Sequence, residues 1–346
     1  MVLNPTRQAA LVALRAAALV RDHFHLDIAA SDWSVFGSTG AIAGDEGRIF
    51  GFPASADQVG LGAVLAWAST HNPTSIEVVF EADEDLDRLA VLARQAKLFK
   101  PPINIWQMAD NSLHSVSPLS YEIAREPSAS ALALVPLLSN AALEVVVEDG
   151  QVIGEIRGLE VARIVEPSID EGRGVEARVE VGIGRFDREA FALMHSDVSV
   201  EEALARVSEQ VRQIRRPGAE PHPLNRLARE RWLRAQLLMN PDLVGAEELV
   251  VAPGAVARGG LKENAVAVAQ GVTKEGEPLV VVTSTGVNLE AVVEAADARA
   301  RLNPSAKLIL VVPPSDDFAV TRRIMNLLKQ PGQMIPVEGE WSGATP

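Results

Sequence analysis

The sequence predicts an α/β protein in which two duplicated α/β modules, each with a parallel-rich sheet, flank a β-rich α+β centre. Three observations support this. Residues 47–107 and 278–337 share an order of strands, helices and acidic turns around Asn72-Pro73 and Asn303-Pro304, which stand 231 positions apart. Both segments alternate short β-branched apolar runs with helical periodicity, the pattern of strands joined by helical crossovers. The stretch from Leu143 to His195 lacks helical spacing and reads as consecutive strands. The expected division is 1–112 for the first module, 113–216 for the centre and 217–346 for the second module.

In chain order, Ala9 to Val20 is an apolar run broken by Arg15 and followed by Arg21-Asp22. It falls short of the ~20 residues that span a bilayer and no clean cleavage site follows, so it reads as a helix and not an export signal. Asn72-Pro73 aligns with Asn303-Pro304, which stops the helix of the second copy because the residue before proline is pushed out of the α region. Asp83 or Asp85 offers an oxygen to cap the next helix, and Ser112 to Pro127 reads as a weak linker. In the centre, strands are expected at 143–147, 152–157, 159–165 and 175–183. Asp149-Gly150 makes a tight hairpin turn and Gly172-Arg173-Gly174 a looser one. Ser199 caps a helix with Glu202 closing a capping box, and Leu204, Val207, Val211 and Ile214 form its apolar stripe. Arg216-Pro217-Gly218 to Pro223 is the clearest linker. In the second copy Leu233-Arg234-Ala235 repeats Leu14-Arg15-Ala16 upstream. Leu279–Val282 and Leu308–Val312 are strands, Leu289, Val292, Val293 and Ala296 mark a helix, and Ser315 or Asp316 caps the next one. Strands joined in this way pair in parallel through right-handed crossovers.

Apolar residues at 47% and charged residues at 23% of 346 describe a globular chain. Lys and Arg total 32 against 46 Asp and Glu, a net charge of −14 that repels nucleic acid and anionic membrane at long range. The charge disfavours nucleic acid without excluding it, leaves a protein partner or a second copy of the chain open, and gives no expectation of a membrane partner. The absence of Cys excludes disulfides and thiolate chemistry and fits a reducing, cytoplasmic setting. The six histidines are scattered without metal-binding spacing, so no metal or cofactor is expected.

An upstream helix, two or three strands, a helix, a strand and a further helix form the element order of each copy, seen best in ARARLNPSAKLILVVPP. That order resembles PD-(D/E)XK, or restriction-endonuclease-like, folds. The resemblance implies an acidic residue on one strand and acid-x-Lys on the next, together holding a divalent cation that activates water. The corresponding positions are Val282-Thr283-Ser284-Thr285 and Phe52-Pro53-Ala54-Ser55, without carboxylate or lysine. Both copies are thus expected to be catalytically degenerate, and the chain to be a binding or scaffolding protein, not an enzyme.

Three candidate sites remain. In the centre Arg163 shares a strand face with Leu159, Val161 and Val165 while Glu160 falls on the opposite face. Arg185, Asp187, Arg188 and Glu189 crowd a strand end. Glu155, Glu160, Arg163 and Asp187 are the catalytic candidates if these groups form a site, and the alternative is an internal salt-bridge network. A metal-dependent nuclease would use Asp149, Glu155 or Glu160 as ligands. The strand-to-helix turn Thr283-Ser284-Thr285-Gly286 is a candidate for phosphate or another small anion, or simple helix capping. Eight arginines face three glutamates between Arg206 and Arg234. Within that zone Arg215, Arg216, Arg226 and Arg229 are the nucleic-acid candidates, with Trp232 to stack on a base.

Overall fold

The computed structural model describes residues 5–36, 40–53, 60–81, 84–110, 112–166, 177–184, 187–188, 198–256 and 265–342. Gly172-Arg173-Gly174, Val175, Asp83, Ala54, Ser55, Arg185, Glu189 and His195 lie outside the described residues. The helices are α1 (Pro5–Phe24), α2 (Leu61–Ala68), α3 (Leu86–Ala96), α4 (Ala129–Asn140), α5 (Val200–Ile214), α6 (Arg229–Met239), α7 (Ala291–Leu302) and α8 (Ala319–Asn326). Among the described residues no helix is long and apolar enough to cross a membrane. The chain is an α/β protein whose described residues form three sheets, two mixed ones on either side of an antiparallel centre in sequence.

Chain contacts define two compact units, neither of them a continuous stretch. One comprises Met1–Tyr121, Leu289–Asp297 and Phe318–Gln333, the other Glu122–Asn288, Ala298–Asp317 and Met334–Pro346. In the first, the strands β1 (Ser34–Phe36), β2 (Gly40–Asp45), β3 (Arg48–Phe52), β4 (Ser75–Phe80), β5 (Ile103–Ala109) and β6 (Ser112–Ser115) lie side by side in chain order. Strands β1 to β3 are antiparallel, β3 to β5 parallel, and β6 antiparallel to β5. Residues 112–115 are thus a strand where the sequence suggested the start of a linker. Asp85 caps α3, accepting from the Asp87 N–H at 2.9 Å. Ala13, Ala16 and Val20 of α1 pack with Ala41, Ala43 and Phe50. Gly51, pointing to the other face, approaches Val64 of α2, so both faces of the sheet are covered. In the same unit Lys100 N–H donates to Leu327 O at 2.7 Å and Lys329 N–H to Leu98 O at 2.9 Å, a reciprocal pair of backbone bonds.

The second unit holds two sheets. The antiparallel one contains β7 (Glu144–Glu148), β8 (Gln151–Ile156), β9 (Leu159–Val165) and β10 (Arg178–Val181), in the order β10-β9-β8-β7. Its hairpins turn at Asp149-Gly150 (φ 48° and 81°) and Arg157-Gly158 (φ 47° and 73°), paired left-handed residues that match the twist of the flanking strands. Ala131, Leu138, Ala203, Leu204 and Val211 of α4 and α5 cover one face. Ser199 caps α5, accepting from Glu202 N–H at 3.2 Å, but the Glu202 carboxylate takes Arg206 instead of closing the box. The mixed sheet runs β11 (Ala246–Ala252), β12 (Ala267–Thr273), β13 (Pro278–Thr283), β14 (Lys307–Val312) and β15 (Gln333–Pro336). Its first three strands are antiparallel and β13 and β14 parallel. Leu233 and Leu237 of α6 pack with Leu249, Ala269, Leu279 and Val281, and every residue from Glu230 to Leu237 is buried. Neither Ser315 nor Asp316 caps α8. Pro314–Asp316 form a 3-10 turn and the cap position falls to Phe318.

Candidate functional site: the charged face of the central sheet

The antiparallel sheet turns one face to α4 and α5, and the other carries charge. Across its strands Glu144 pairs with Glu155, Ile153 with Arg163 and Glu155 with Glu160. Simple alternation would put Glu160 on the face opposite Arg163, and the structure corrects this. Gly154 pairs with Ala162 while Glu155 pairs with Glu160, so Val161 is the extra residue of a β-bulge and both Val161 and Ala162 enter the core under the helices. Glu160 is thereby re-aimed onto the side of Arg163. It accepts two bonds from that guanidinium, both 2.9 Å, and one from Arg188 at 2.6 Å.

Glu144, Glu155 and Glu160 thus stand in a row on adjacent strands, where like charges repel. Each has its own donors. Glu144 accepts from the Arg157 N–H at 3.0 Å. Burial raises its pKa, the Arg157 N–H pulls it down and the Glu155 charge adds to the rise. Glu155, 1% exposed, accepts from Arg231 at 2.5 Å and Arg234 at 3.2 Å. Glu148 joins the same two guanidiniums at 2.6 and 2.7 Å, closing a ring of two cations and two anions. Burial works against the Arg231 charge, but Glu155 and Glu148 outweigh it and hold the guanidinium protonated above its ordinary range. Residues three apart on a helix face one way, which is why α6 presents both arginines together. Gly158 makes this approach possible, since a Cβ there would lie 2.3 Å from the Arg231 carbonyl carbon.

The sheet therefore gathers Glu155, Glu160 and Arg163 but not Asp187, which accepts from the Ile183 N–H at 2.7 Å. Asp149 pairs with Arg301 at 2.6 Å. The three carboxylates considered as metal ligands each face different arginines. Among the described residues no three His, Cys, Asp or Glu side chains gather to hold a metal. Glu144 and Glu148 were not singled out by sequence reasoning, which placed Arg188 only in a strand-end cluster of charge and Arg231 and Arg234 only in the basic zone. The signal available for Arg231 and Arg234 was their spacing of three, which places both on one side of a helix.

The basic zone is divided: Arg215, Arg231 and Arg234 are buried, whereas Arg206, Arg216 and Arg226 are exposed. Arg215 is 1% exposed, lies over the Trp232 ring at 4.5 Å, and donates to the carbonyls of Arg157, Leu224, Leu227 and Ala228 at 2.9 to 3.3 Å. Burial lowers its pKa to about 9 against the pull of Glu155, Glu230 and Glu144, leaving it charged at neutral pH. Trp232 is itself fully buried and donates to Glu340. Arg229 is half-buried over Trp341, with its pKa lowered by burial and by the neighbouring Arg226. Of the four arginines considered for nucleic acid, Arg216 and Arg226 are the exposed ones. The turn considered for anions is also committed. Thr283 Oγ1 lies 2.7 Å from Glu230 O, Ser284 N–H donates to Val311 O at 3.0 Å and Gly286 N–H to Asp316 at 2.5 Å. Thr285 is half-buried, and α7 begins only at Ala291. The turn therefore does not form that helix's N-terminus, and a carboxylate holds its Gly286 N–H.

No family model, curated protein or solved structure matches the chain.

Proposed function

We propose that the chain is a non-enzymatic binding or scaffolding protein built from two copies of one α/β module, of nuclease-like element order but without the nuclease carboxylates. The observation that carries this reading is the agreement between the two mixed sheets. In each, a helix precedes three antiparallel strands, and another helix leads into a strand parallel to the third. The reciprocal bonds of Leu98 and Lys100 with Leu327 and Lys329 join corresponding places in the matched segments, as local two-fold symmetry requires. At the strand end where acid-x-Lys would stand, Thr283 spends its hydroxyl on backbone carbonyls, and the central carboxylates face arginines.

Incubation of the full chain with Mg²⁺ or Mn²⁺ and labelled single- and double-stranded DNA and RNA tests the reading. No cleavage is expected. Metal-dependent cleavage that survives repurification and is lost in Glu155→Gln or Glu160→Gln would replace it with a nuclease using central carboxylates.

A further inference from the structure

We propose that the open edge of the first sheet, beside α3, is a docking groove for an extended basic peptide segment of a partner protein. The inference deepens the binding reading and rests on it.

Among the described residues β6 is the last strand of its sheet and pairs only with β5. Sheet edges are ordinarily blunted by lysine or proline, and Ser112–Ser115 contains neither while Ser112, His114 and Ser115 are exposed. Val116 N–H donates to Ile105 O at 2.9 Å, which fixes the phase of the ladder. His114, two residues back, turns its backbone groups to β5, so Leu113 and Ser115 turn their N–H and C=O outward. These outward groups are those an added strand would use.

A cavity of about 270 Å³ runs beside this edge, with Leu86, Asp87 and Ala90 of α3 on one wall, His114 and Ser115 on the other, and Gln107 contributing from β5. Val116 and Ser117 continue the lining, and beyond them Leu119 N–H donates to Ala90 O of α3 at 2.9 Å. Leu86 is 59% exposed and offers an apolar contact. No lysine or arginine is among the lining residues, Asp87 is, and Glu84 and Asp85 precede it. An occupant with alternating apolar and basic side chains satisfies all three features. Its backbone extends the sheet, its apolar residues meet Leu86, and its cations meet Asp87 in the field of a chain carrying −14.

The test is fluorescence anisotropy of a labelled Val-Lys-Val-Lys-Val-Lys peptide titrated with the full chain, beside a Val-Glu-Val-Glu-Val-Glu control. The basic peptide should bind at least about tenfold tighter than the acidic one. Asp87→Lys should weaken it about tenfold, and Ser115→Pro should do so by removing an outward N–H at an edge position that leaves the β5 ladder intact. Equal binding of both peptides, no binding of the basic one, or undiminished binding in both variants would overturn the groove. Such a failure leaves the cleavage assay unaffected, and only metal-dependent cleavage counts against the binding reading itself.

Discussion

Replacing Glu155 by Ala tests the charged ring at its most enclosed point. Glu155 and Arg234 are each 1% exposed and Arg231 is 7% exposed, so water cannot take over the lost contacts. The substitution removes bonds of 2.5 and 3.2 Å and leaves two guanidiniums sharing Glu148, a net buried positive charge. Breaking a buried pair in this way costs about 3–5 kcal/mol, several times the value of an exposed ion pair. Urea unfolding followed by tryptophan fluorescence measures it, since Trp232 and Trp341 lie 5.6 Å apart in the same unit. The double variant Glu155→Ala/Arg234→Ala should lose less than the sum of the two single variants, with a coupling of about 1–3 kcal/mol. A loss under about 1 kcal/mol for Glu155→Ala, the value of a solvated surface pair, would refute the claim that the ring is a closed, desolvated unit.

Glu290 accepts from the Gly62 N–H at 2.7 Å, and burial pushes its pKa up to about 7 against the opposing pull of that N–H and Arg88. Because the folded value lies above the unfolded 4.5, its contribution is complete below pH 4.5 and disappears as pH rises through about 7, a change of up to about 3 kcal/mol. Glu290→Gln should flatten that part of the stability profile, and an unchanged profile in chemical denaturation would count against the assignment. Gly158→Ala places a Cβ 2.3 Å from the Arg231 backbone at φ +73°, whereas Gly218→Ala at φ +68° meets nothing within 4 Å. Thermal unfolding should show the first substitution costing at least about 2 kcal/mol more than the second, and equal costs would mean that α6 yields freely. Arg215→Met should lose at least about 3 kcal/mol by stranding four carbonyls, while Arg216→Ala should stay within about 0.5 kcal/mol. Equal effects in urea unfolding would show that Arg215 is not the internal peg described.

Elements whose causes are local were legible in the sequence. Asp149-Gly150 makes a tight hairpin because two left-handed residues suit its twist. Ser199 caps its helix because an oxygen there reaches the first free N–H groups. The apolar stripe of α5 and the β-branched runs of β13 and β14 likewise announced themselves by period. Tertiary structure decided what depends on a neighbour distant in sequence. Alternation alone assigned Glu160 to the wrong face, because a bulge is a property of two paired strands and leaves no trace in the period of one. Arg215, Arg231 and Arg234 read as a solvated basic zone, yet a helix whose apolar side packs on one sheet brings its arginines to the glutamates of another. Charge count records how many ions a segment carries, and only the packed fold decides which of them keep their water.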